Sequence, residues 1–300
     1  MIAILTGGIG DEAGISRKSA ANIRTIIDGA GFQTALFDFP GDLDRFLEAR
    51  SDIECVVPVI HGKWGEDGSL QGFLELIGTP FLFSSCRAHA LAIDKQKTKS
   101  VLAPFGMPVA EANVVMPGEN WPAWSKPVVV KPIDSGSSYH TAICKSQDEL
   151  EDFRDKHSNS PITWLIEDFC AGDEFTVGIV ESEGRDIALP VIAIKPKTAF
   201  FDLEAKYDPA KCDEICPAPI PDSLSDELQR LALLAHKQLG LRHISRSDFI
   251  VDSSGNITFL ETNTIPGFTS ASLMPKALST AGIQSDKLFY SWIREAIDAN

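Results

Sequence analysis

The sequence predicts an α/β fold organised in more than one domain. Short apolar runs that suit buried strands alternate with amphipathic helical patterns from the first residues onward, an order typical of a parallel sheet covered by helices. Two glycine-rich segments, 6–10 and 61–68, directly follow such strands, where ligands bind in doubly wound sheets. The length of 300 residues exceeds what one hydrophobic core usually organises, so two or three domains are expected.

The N-terminal part is predicted to be a small doubly wound sheet that ends near Ser85. Its strand at 55–60 is almost continuously apolar, as in a strand buried on both faces. Its first helix carries an isoleucine-rich apolar stripe at helical spacing, which predicts that one face packs on the sheet. The predicted elements are strands at 2–5, 34–39 and 55–60 and helices at 15–30, 43–49 and 70–77.

The middle of the chain has a different order, with a long helix followed by several strands. We expect helices at 88–105 and 147–156 and strands at 127–131, 141–144 and 163–167. Lys131 ends a strand between prolines and leads into the hydroxyl-rich segment 134–138. Amides and hydroxyls of such a loop can bind phosphate oxygens while a lysine supplies charge. An ordinary Gly/Ser turn is the alternative.

The last part contains a long segment, 195–223, without a regular pattern. Loops of this length are usually lids or disordered, and the bulky residues it contains favour a lid: Phe200, Phe201, Lys206 and Tyr207. The other predicted elements of this part are strands at 174–180 and 187–194, helices at 225–239, 272–281 and 285–299, and a hairpin within 245–263.

The hairpin carries the most informative polar pattern. A two-residue turn at Ser254-Gly255 would place Asp248 opposite Glu261 and Arg246 opposite Asn263. Because strand side chains alternate between faces, all four groups would then share one face. Carboxylate and amide oxygens at this density suit Mg²⁺ completed by substrate phosphates. A solvated polar face on an edge hairpin is the alternative.

Composition excludes several classes of protein. A net charge of -15 argues against a nucleic-acid partner, which needs a basic surface, but allows a nucleotide in a locally basic cleft. No apolar run approaches the length of a membrane span, and the chain starts as a buried strand rather than a signal peptide. We therefore expect a cytoplasmic enzyme with no membrane partner and with six reduced cysteines.

An ordered set of motifs resembles those of the D-alanine–D-alanine ligase family, a branch of the ATP-grasp superfamily, over nearly the whole chain. The motifs are His61-Gly-x-x-Gly-Glu-Asp-Gly68, Asp94-Lys95, Val130-Lys131-Pro132 with Gly136-Ser137-Ser138, Glu174-Phe175-Thr176-Val177, Lys206-Tyr207 and Glu261-x-Asn263-x-x-Pro266-Gly267. The resemblance implies a doubly wound N-terminal α/β domain (1–86), a central ATP-grasp subdomain (87–178) and a C-terminal catalytic ATP-grasp domain (179–300). ATP would lie between the last two.

The resemblance also implies the chemistry. ATP would phosphorylate the carboxylate of one D-alanine to an acyl phosphate, and the amine of a second D-alanine would attack it to give the dipeptide for peptidoglycan synthesis. The implied cofactors are ATP and two Mg²⁺ ions, with Mn²⁺ as a substitute. The implied partners are small amino-acid substrates and a second copy of the chain in a homodimer.

The family's site residues transfer to matching positions of this chain. The catalytic group is Arg246, Gly267, Ser137, Lys206 and Tyr207. Arg246 and the Gly267 amide would stabilise the tetrahedral oxyanion, and Lys206 and Tyr207 would belong to the lid. The substrate group is His61, Glu12, Gly14, Ser272 and Leu273. The nucleotide group is Lys95, Lys131, Ser138, Glu167, Phe169 and Glu174. The metal ligands are Asp248, Glu261 and Asn263.

One departure concerns the first substrate. The family has a glutamate at position 14 that pairs with the ammonium of the first D-alanine, whereas this chain has Gly14. A buried ammonium without a carboxylate is costly, so either Asp11 or Glu12 compensates or the first substrate differs. Tyr139-His140 also replaces two small residues. A divergent ligase or cyclase for another amino acid or amine is therefore an alternative; an inactive nucleotide-binding paralogue is a second, which the intact hairpin argues against.

Overall fold

A computed structural model describes residues 1–10, 12–136, 140–196 and 212–299 of the protein. The strands of this part form three sheets. None of the described helices combines the length and apolarity needed to cross a membrane.

The N-terminal part is a three-stranded parallel sheet in the order β2-β1-β3, with helices on its faces. Its central strand is buried along its whole length, which explains the apolar run from which it was predicted. All six predicted elements are confirmed, with shifts of a few residues at their ends. They are β1 (Ile2–Gly7), α1 (Ala13–Gly29), β2 (Thr34–Phe39), α2 (Leu43–Glu48), β3 (Cys55–Pro58) and α3 (Ser69–Leu76).

The middle part is an antiparallel sheet in the order β4-β7-β5-β6. The prediction of one helix over 88–105 is wrong, because Asp94 has extended backbone angles and its side chain accepts a hydrogen bond from the Lys97 amide at 2.9 Å. Asp94 thereby ends one helix and caps the next. Strand β4 was not predicted. The elements are α4 (Cys86–Ile93), α5 (Lys95–Leu102), β4 (Ala112–Val115), β5 (Val128–Pro132), β6 (Ala142–Cys144), α6 (Gln147–Lys156) and β7 (Trp164–Asp168).

The last part is a larger antiparallel sheet in the order β11-β10-β8-β12-β13, with β9 also paired to β8. Its elements are β8 (Asp173–Ser182), β9 (Arg185–Ala188), β10 (Ile192–Pro196), β11 (Cys212–Ile215), α7 (Asp222–Gln238), β12 (Ile244–Val251), β13 (Ile257–Asn263), α8 (Leu273–Thr280) and α9 (Ser285–Asp298). The predicted division of the chain after residue 178 falls inside β8, and the three-domain division stays a prediction.

Two predictions for this part are wrong. The strand expected over 187–194 is divided into β9 and β10 around Pro190, which has no amide to donate to a neighbouring strand. The segment 195–223 is not patternless at its ends, because β10 continues to Pro196 and pairs with β11, and α7 already begins at Asp222. The residues on which the lid prediction rested, Phe200, Phe201, Lys206 and Tyr207, lie outside the described residues.

A shared hydrophobic core joins the N-terminal sheet to the C-terminal part. Ile23 of α1, Phe268 after β13 and Trp292 of α9 belong to one buried cluster. The indole of Trp292 also donates to the Glu181 carbonyl of β8 at 2.8 Å. Burial of large apolar side chains contributes about 1.5–3 kcal/mol each, so this cluster fixes the N-terminal loops against the end of the hairpin.

Candidate functional site

A cavity of about 510 Å³ lies between the middle sheet and the larger sheet. The sheets approach each other along β5 and β7 on one side and along β8, β12 and β13 on the other. Seven of the predicted site residues line this cavity, namely Lys95, Lys131, Glu167, Phe169, Glu174, Asp248 and Glu261. The fold therefore brings together residues that are spread along the sequence from Lys95 to Glu261.

The break between α4 and α5 places Lys95 at the start of α5, where its side chain enters the cavity. Lys95 is 5% exposed, and its Nζ donates to the Ser135 carbonyl at 2.5 Å and lies 3.2 Å from Glu261 Oε2. One ammonium thus joins the hairpin to the start of the loop that was predicted to bind phosphate. The predicted residues of that loop, Ser137 and Ser138, lie outside the described residues.

Glu167 of β7 is buried between two lysines. Its Oε2 is 2.5 Å from Lys131 Nζ, and its Oε1 accepts from Lys99 Nζ. Burial and the neighbouring lysine charges lower the pKa of both Lys99 and Lys131. Lys99 was not predicted as a site residue. Its spacing of four from Lys95 was an available signal, because it places both lysines on one face of α5.

The polar face of the hairpin has the predicted pairing. Asp248 lies opposite Glu261, and Arg246 lies opposite Asn263. Arg246 binds Asp248 through two hydrogen bonds of 3.0 Å, and Asn263 Nδ2 donates to Asp248 Oδ2 at 3.2 Å. Thr176 of β8, which was not predicted, also donates to Asp248. Asp248 is therefore held on three sides.

The predicted two-residue turn of the hairpin is wrong. Asp252 and Asn256 close a three-residue loop, in which the Asp252 carboxylate accepts from the Ser254 and Asn256 amides and Gly255 takes a φ of 85°. A register shift at Leu260 adds one residue to β13 between this loop and the polar face. The bulge compensates the longer turn, which is why the predicted pairs are nevertheless correct.

Asp248, Glu261 and Asn263 provide the donor chemistry for Mg²⁺. The described residues contain no group of three or more His, Cys, Asp and Glu side chains placed to hold a metal; the predicted set offers two carboxylates and one amide. Mg²⁺ is commonly bound by one or two carboxylates, with substrate phosphates and water completing its shell. The set therefore fits a cation that arrives together with phosphate groups.

His61 lies after β3 and is tied to the loop that follows β13. Its amide donates to Ser16 Oγ at 3.0 Å, and its Nε2 is 3.3 Å from Ser19 Oγ. Ser19 Oγ also accepts from the Phe268 amide at 3.4 Å. The desolvated surroundings lower the pKa of His61 to about 4, so its ring is neutral near pH 7. The two serines of α1 were not predicted as site residues.

The acidic groups near His61 are Glu12 and Glu66. A Cβ added at Gly62 would lie 2.5 Å from Glu12 Oε2, and one added at Gly136 would lie 3.5 Å from Glu12 Oε1. Glu66 Oε2 accepts from the Gly62 amide at 2.7 Å, and burial together with the charge of Glu12 raises the pKa of Glu66 to about 8. Gly14 is exposed, and a Cβ there would meet nothing within 4 Å.

Ser272 and Leu273 lie at the start of α8, next to Gly267. Ser272 Oγ accepts from the Thr269 amide at 3.0 Å, and a Cβ added at Gly267 would lie 3.2 Å from that oxygen. Leu273 packs against the shared core. None of the three lines the cavity described above. Of the predicted site residues, Ser137, Ser138, Lys206 and Tyr207 lie outside the described residues, as do Asp11 and Tyr139.

Comparison with known proteins gives concordant matches. Two family models, described as D-ala D-ala ligase N-terminus and C-terminus, match residues 41–84 and 109–294. The D-alanine–D-alanine ligase of Desulfotalea psychrophila is 34% identical over 99% of this chain and 95% of its own, and that of Citrifermentans bemidjiense is 38% identical over 96% and 93%. The structure of the Bacillus anthracis D-alanine–D-alanine ligase complexed with ATP superposes with a TM-score of 0.84 at 26% identity, covering 99% of this chain and 97% of that one. The predicted fold class is confirmed.

Proposed function

Because the chain belongs to the D-alanine–D-alanine ligase family, as its motifs predicted, we propose that it joins two D-alanines in an ATP-dependent, ADP-forming reaction that supplies peptidoglycan synthesis. The observation that carries this proposal is the cavity between the two sheets, where Lys95 pairs with Glu261 of the hairpin and Lys131 pairs with Glu167 of β7. Such a site can neutralise a polyphosphate and hold it beside an acyl group.

The nucleotide would occupy the cavity. Lys95 and Lys131 would bind the phosphates, Glu167 the adenine amino group and Glu174 the ribose hydroxyls, with Phe169 as an apolar wall. Ser138 would add a hydroxyl to the phosphates. Phosphoryl transfer requires positioning and charge neutralisation more than covalent help. The support for this assignment is that the side chains of Lys95, Lys131, Glu167, Phe169 and Glu174 all line one cavity.

Asp248, Glu261 and Asn263 would hold two Mg²⁺ ions, or Mn²⁺ in their place. When bound, the ions would neutralise the negative charge of the phosphates. The protein's own contribution is to fix the three oxygen donors at adjacent cross-strand positions, through the bond from Asn263 to Asp248 and the ion pair of Glu261 with Lys95.

The acyl-transfer step would take place at the other end of the hairpin. Arg246 and the Gly267 amide would stabilise the tetrahedral oxyanion; preorganised donors of this kind contribute about 3–4 kcal/mol. Ser272 and the Leu273 amide lie at the start of α8, where the helix dipole favours the carboxylate of the second substrate. Ser137, Lys206 and Tyr207 complete the proposed catalytic group.

The first substrate would lie near His61, whose neutral ring can orient it without repelling its ammonium. Gly14 supplies no carboxylate and leaves open space, whereas Glu12 lies against Gly62 and Gly136. This geometry supports Glu12 as the acidic partner of the ammonium. It also favours the second candidate function, an ATP-grasp ligase or cyclase that accepts a different first amino acid or amine.

An assay of ADP release with single and paired amino acids distinguishes these functions. Turnover that requires D-alanine and yields the dipeptide supports the first function. Turnover only with other amino acids or amines replaces it by the second. ATP binding without any stimulated hydrolysis would contradict both and leave a nucleotide-binding paralogue.

We propose two further properties. A homodimer through the N-terminal part is supported by the exposed leucines of α2 and α3, of which Leu76 is 86% exposed; light scattering on the purified protein tests it. A cytoplasmic location is supported by the use of ATP, and cell fractionation tests it.

A further inference from the structure

We infer that Lys99 is a positioning residue of the nucleotide site, which keeps Lys131 available for phosphate by holding Glu167 in its place. The inference rests on the proposed function, because it assumes that the cavity binds ATP. Lys99 lies in α5, four residues after Lys95, and none of the motifs that identified the family includes it.

The contacts that carry the inference are those of Glu167. Glu167 and Lys99 are each 3% exposed. One carboxylate oxygen accepts from Lys99, and the other lies 2.5 Å from Lys131 Nζ. Each lysine therefore holds a separate oxygen. A carboxylate this deeply buried needs a cationic or hydrogen-bonded partner at all times.

This division of oxygens matters when a phosphate enters the cavity. Lys131 can turn towards the phosphate only if Glu167 keeps another counter-charge. Lys99 provides it from the far side, away from the cavity, whose lining includes Lys95 and Lys131 but not Lys99. Without Lys99, Glu167 would bind Lys131 alone, and a phosphate would have to compete with a buried ion pair.

A purely structural role for Lys99 predicts something different. If Lys99 only neutralised a buried carboxylate, its loss would lower stability and leave nucleotide affinity unchanged in the folded enzyme. The two roles are separated by removing the charge of Glu167 as well. In Glu167→Gln the side chain keeps one acceptor oxygen but no longer competes strongly for Lys131.

The test is nucleotide binding by isothermal titration calorimetry, with a non-hydrolysable ATP analogue and Mg²⁺ but no amino acid. Lys99→Met in the full chain should weaken binding by about tenfold or more, since the loss of one partner of a buried pair is costly. Lys99→Arg should stay within about threefold of wild type. The double variant Lys99→Met/Glu167→Gln should bind better than Lys99→Met alone.

Lys97→Met is the matched control. Lys97 lies on the same helix, but it is 71% exposed and pairs with Asp94 at the surface, so its loss should leave binding unchanged. A kinetic readout accompanies the titration: Lys99→Met should raise the KM for ATP more than it lowers kcat and should leave the KM for the amino acid unchanged.

Two results would overturn the inference. One is a Lys99→Met variant that binds the analogue as tightly as wild type. The other is a double variant whose loss equals the product of the single losses, which would show no coupling through Glu167. If Lys99→Met does not fold, the affinity of Lys99→Met/Glu167→Gln for the analogue is compared with that of Glu167→Gln. The inference expects little difference between these two affinities, and a large difference would overturn it. Failure of the wild-type protein to bind the analogue would instead contradict the proposed function.

Discussion

Replacement of Arg246 by methionine tests the polar face of the hairpin most directly. Arg246 makes two hydrogen bonds of 3.0 Å to Asp248, and the two side chains are only 10% and 7% exposed. The variant would leave the Asp248 carboxylate buried with hydrogen bonds from Asn263 and Thr176 but without its guanidinium partner. Removal of one partner of such a pair typically costs about 3–5 kcal/mol.

The surface pair of Arg230 and Glu227 provides a matched control. It has the same two-bond geometry, with both distances 2.7 Å, but its side chains are 54% and 42% exposed. Exposed pairs contribute only about 0–1 kcal/mol. Urea unfolding should therefore show a loss of several kcal/mol for Arg246→Met and almost none for Arg230→Met.

A double variant distinguishes the loss of the Arg246–Asp248 ion pair from the loss of packing by the aliphatic part of the Arg246 side chain. Asp248→Asn added to Arg246→Met removes the unpaired charge and should recover a large share of the lost stability. Equal free energies of unfolding for Arg246→Met and Arg230→Met would refute the reasoning, as would a double variant no more stable than Arg246→Met. If Arg246 acts as the proposed oxyanion donor, Arg246→Met should also lower kcat for ADP release by about 10²–10³-fold.

Three more changes have defined outcomes. Gly14→Glu, in the first turn of α1, should lower the KM for D-alanine in the ADP-release assay without loss of stability, because a Cβ there meets nothing within 4 Å; an unchanged KM for every amino acid would remove position 14 from the substrate site. Glu261→Ala should abolish Mg²⁺-dependent turnover while circular dichroism stays native, and retained activity would contradict the metal assignment. His89 is buried, and burial lowers its pKa to about 3. Below about pH 6.5 the unfolded chain therefore takes up a proton at this histidine that the folded chain does not. The free energy of unfolding then falls by about 1.4 kcal/mol per pH unit because of this group. His89→Asn should therefore flatten the decline of the unfolding free energy between pH 7 and 5; identical slopes would show that His89 is not held neutral.

The elements of the fold were predictable where local pattern and burial agree. The buried strand β1 and helix α6 carry clear periodicity or capping signals, and both were found close to their predicted ends. The break at Asp94 was missed because the segments before and after it both have residues that favour helix, so the sequence reads as one continuous helix. The extended backbone of Asp94 and its side-chain bond to the Lys97 amide mark the boundary.

The residues of the candidate site were predictable where they belong to a sequence motif. They were less predictable where only tertiary contacts bring them to the site. The pairing of Asp248 with Glu261 follows from strand alternation, although the turn on which the prediction rested was wrong by one residue and a bulge corrected it. Lys99 and Ser19 could not be assigned from the sequence with the same ease. Their partners, Glu167 and Phe268, are 68 and 249 residues away, and only the packed structure brings them together.

The contacts also distinguish position 14 from the residues of the proposed nucleotide cavity. Charged side chains there are mutually paired, Lys95 with Glu261 and Lys131 with Glu167, so a change at one of them takes a counter-charge away from its partner. Gly14 is exposed, and a Cβ added there would meet nothing within 4 Å. Under the proposed function, the absence of a carboxylate at this position therefore bears on substrate binding more than on packing, and the first substrate is the part of the reaction that we expect to differ.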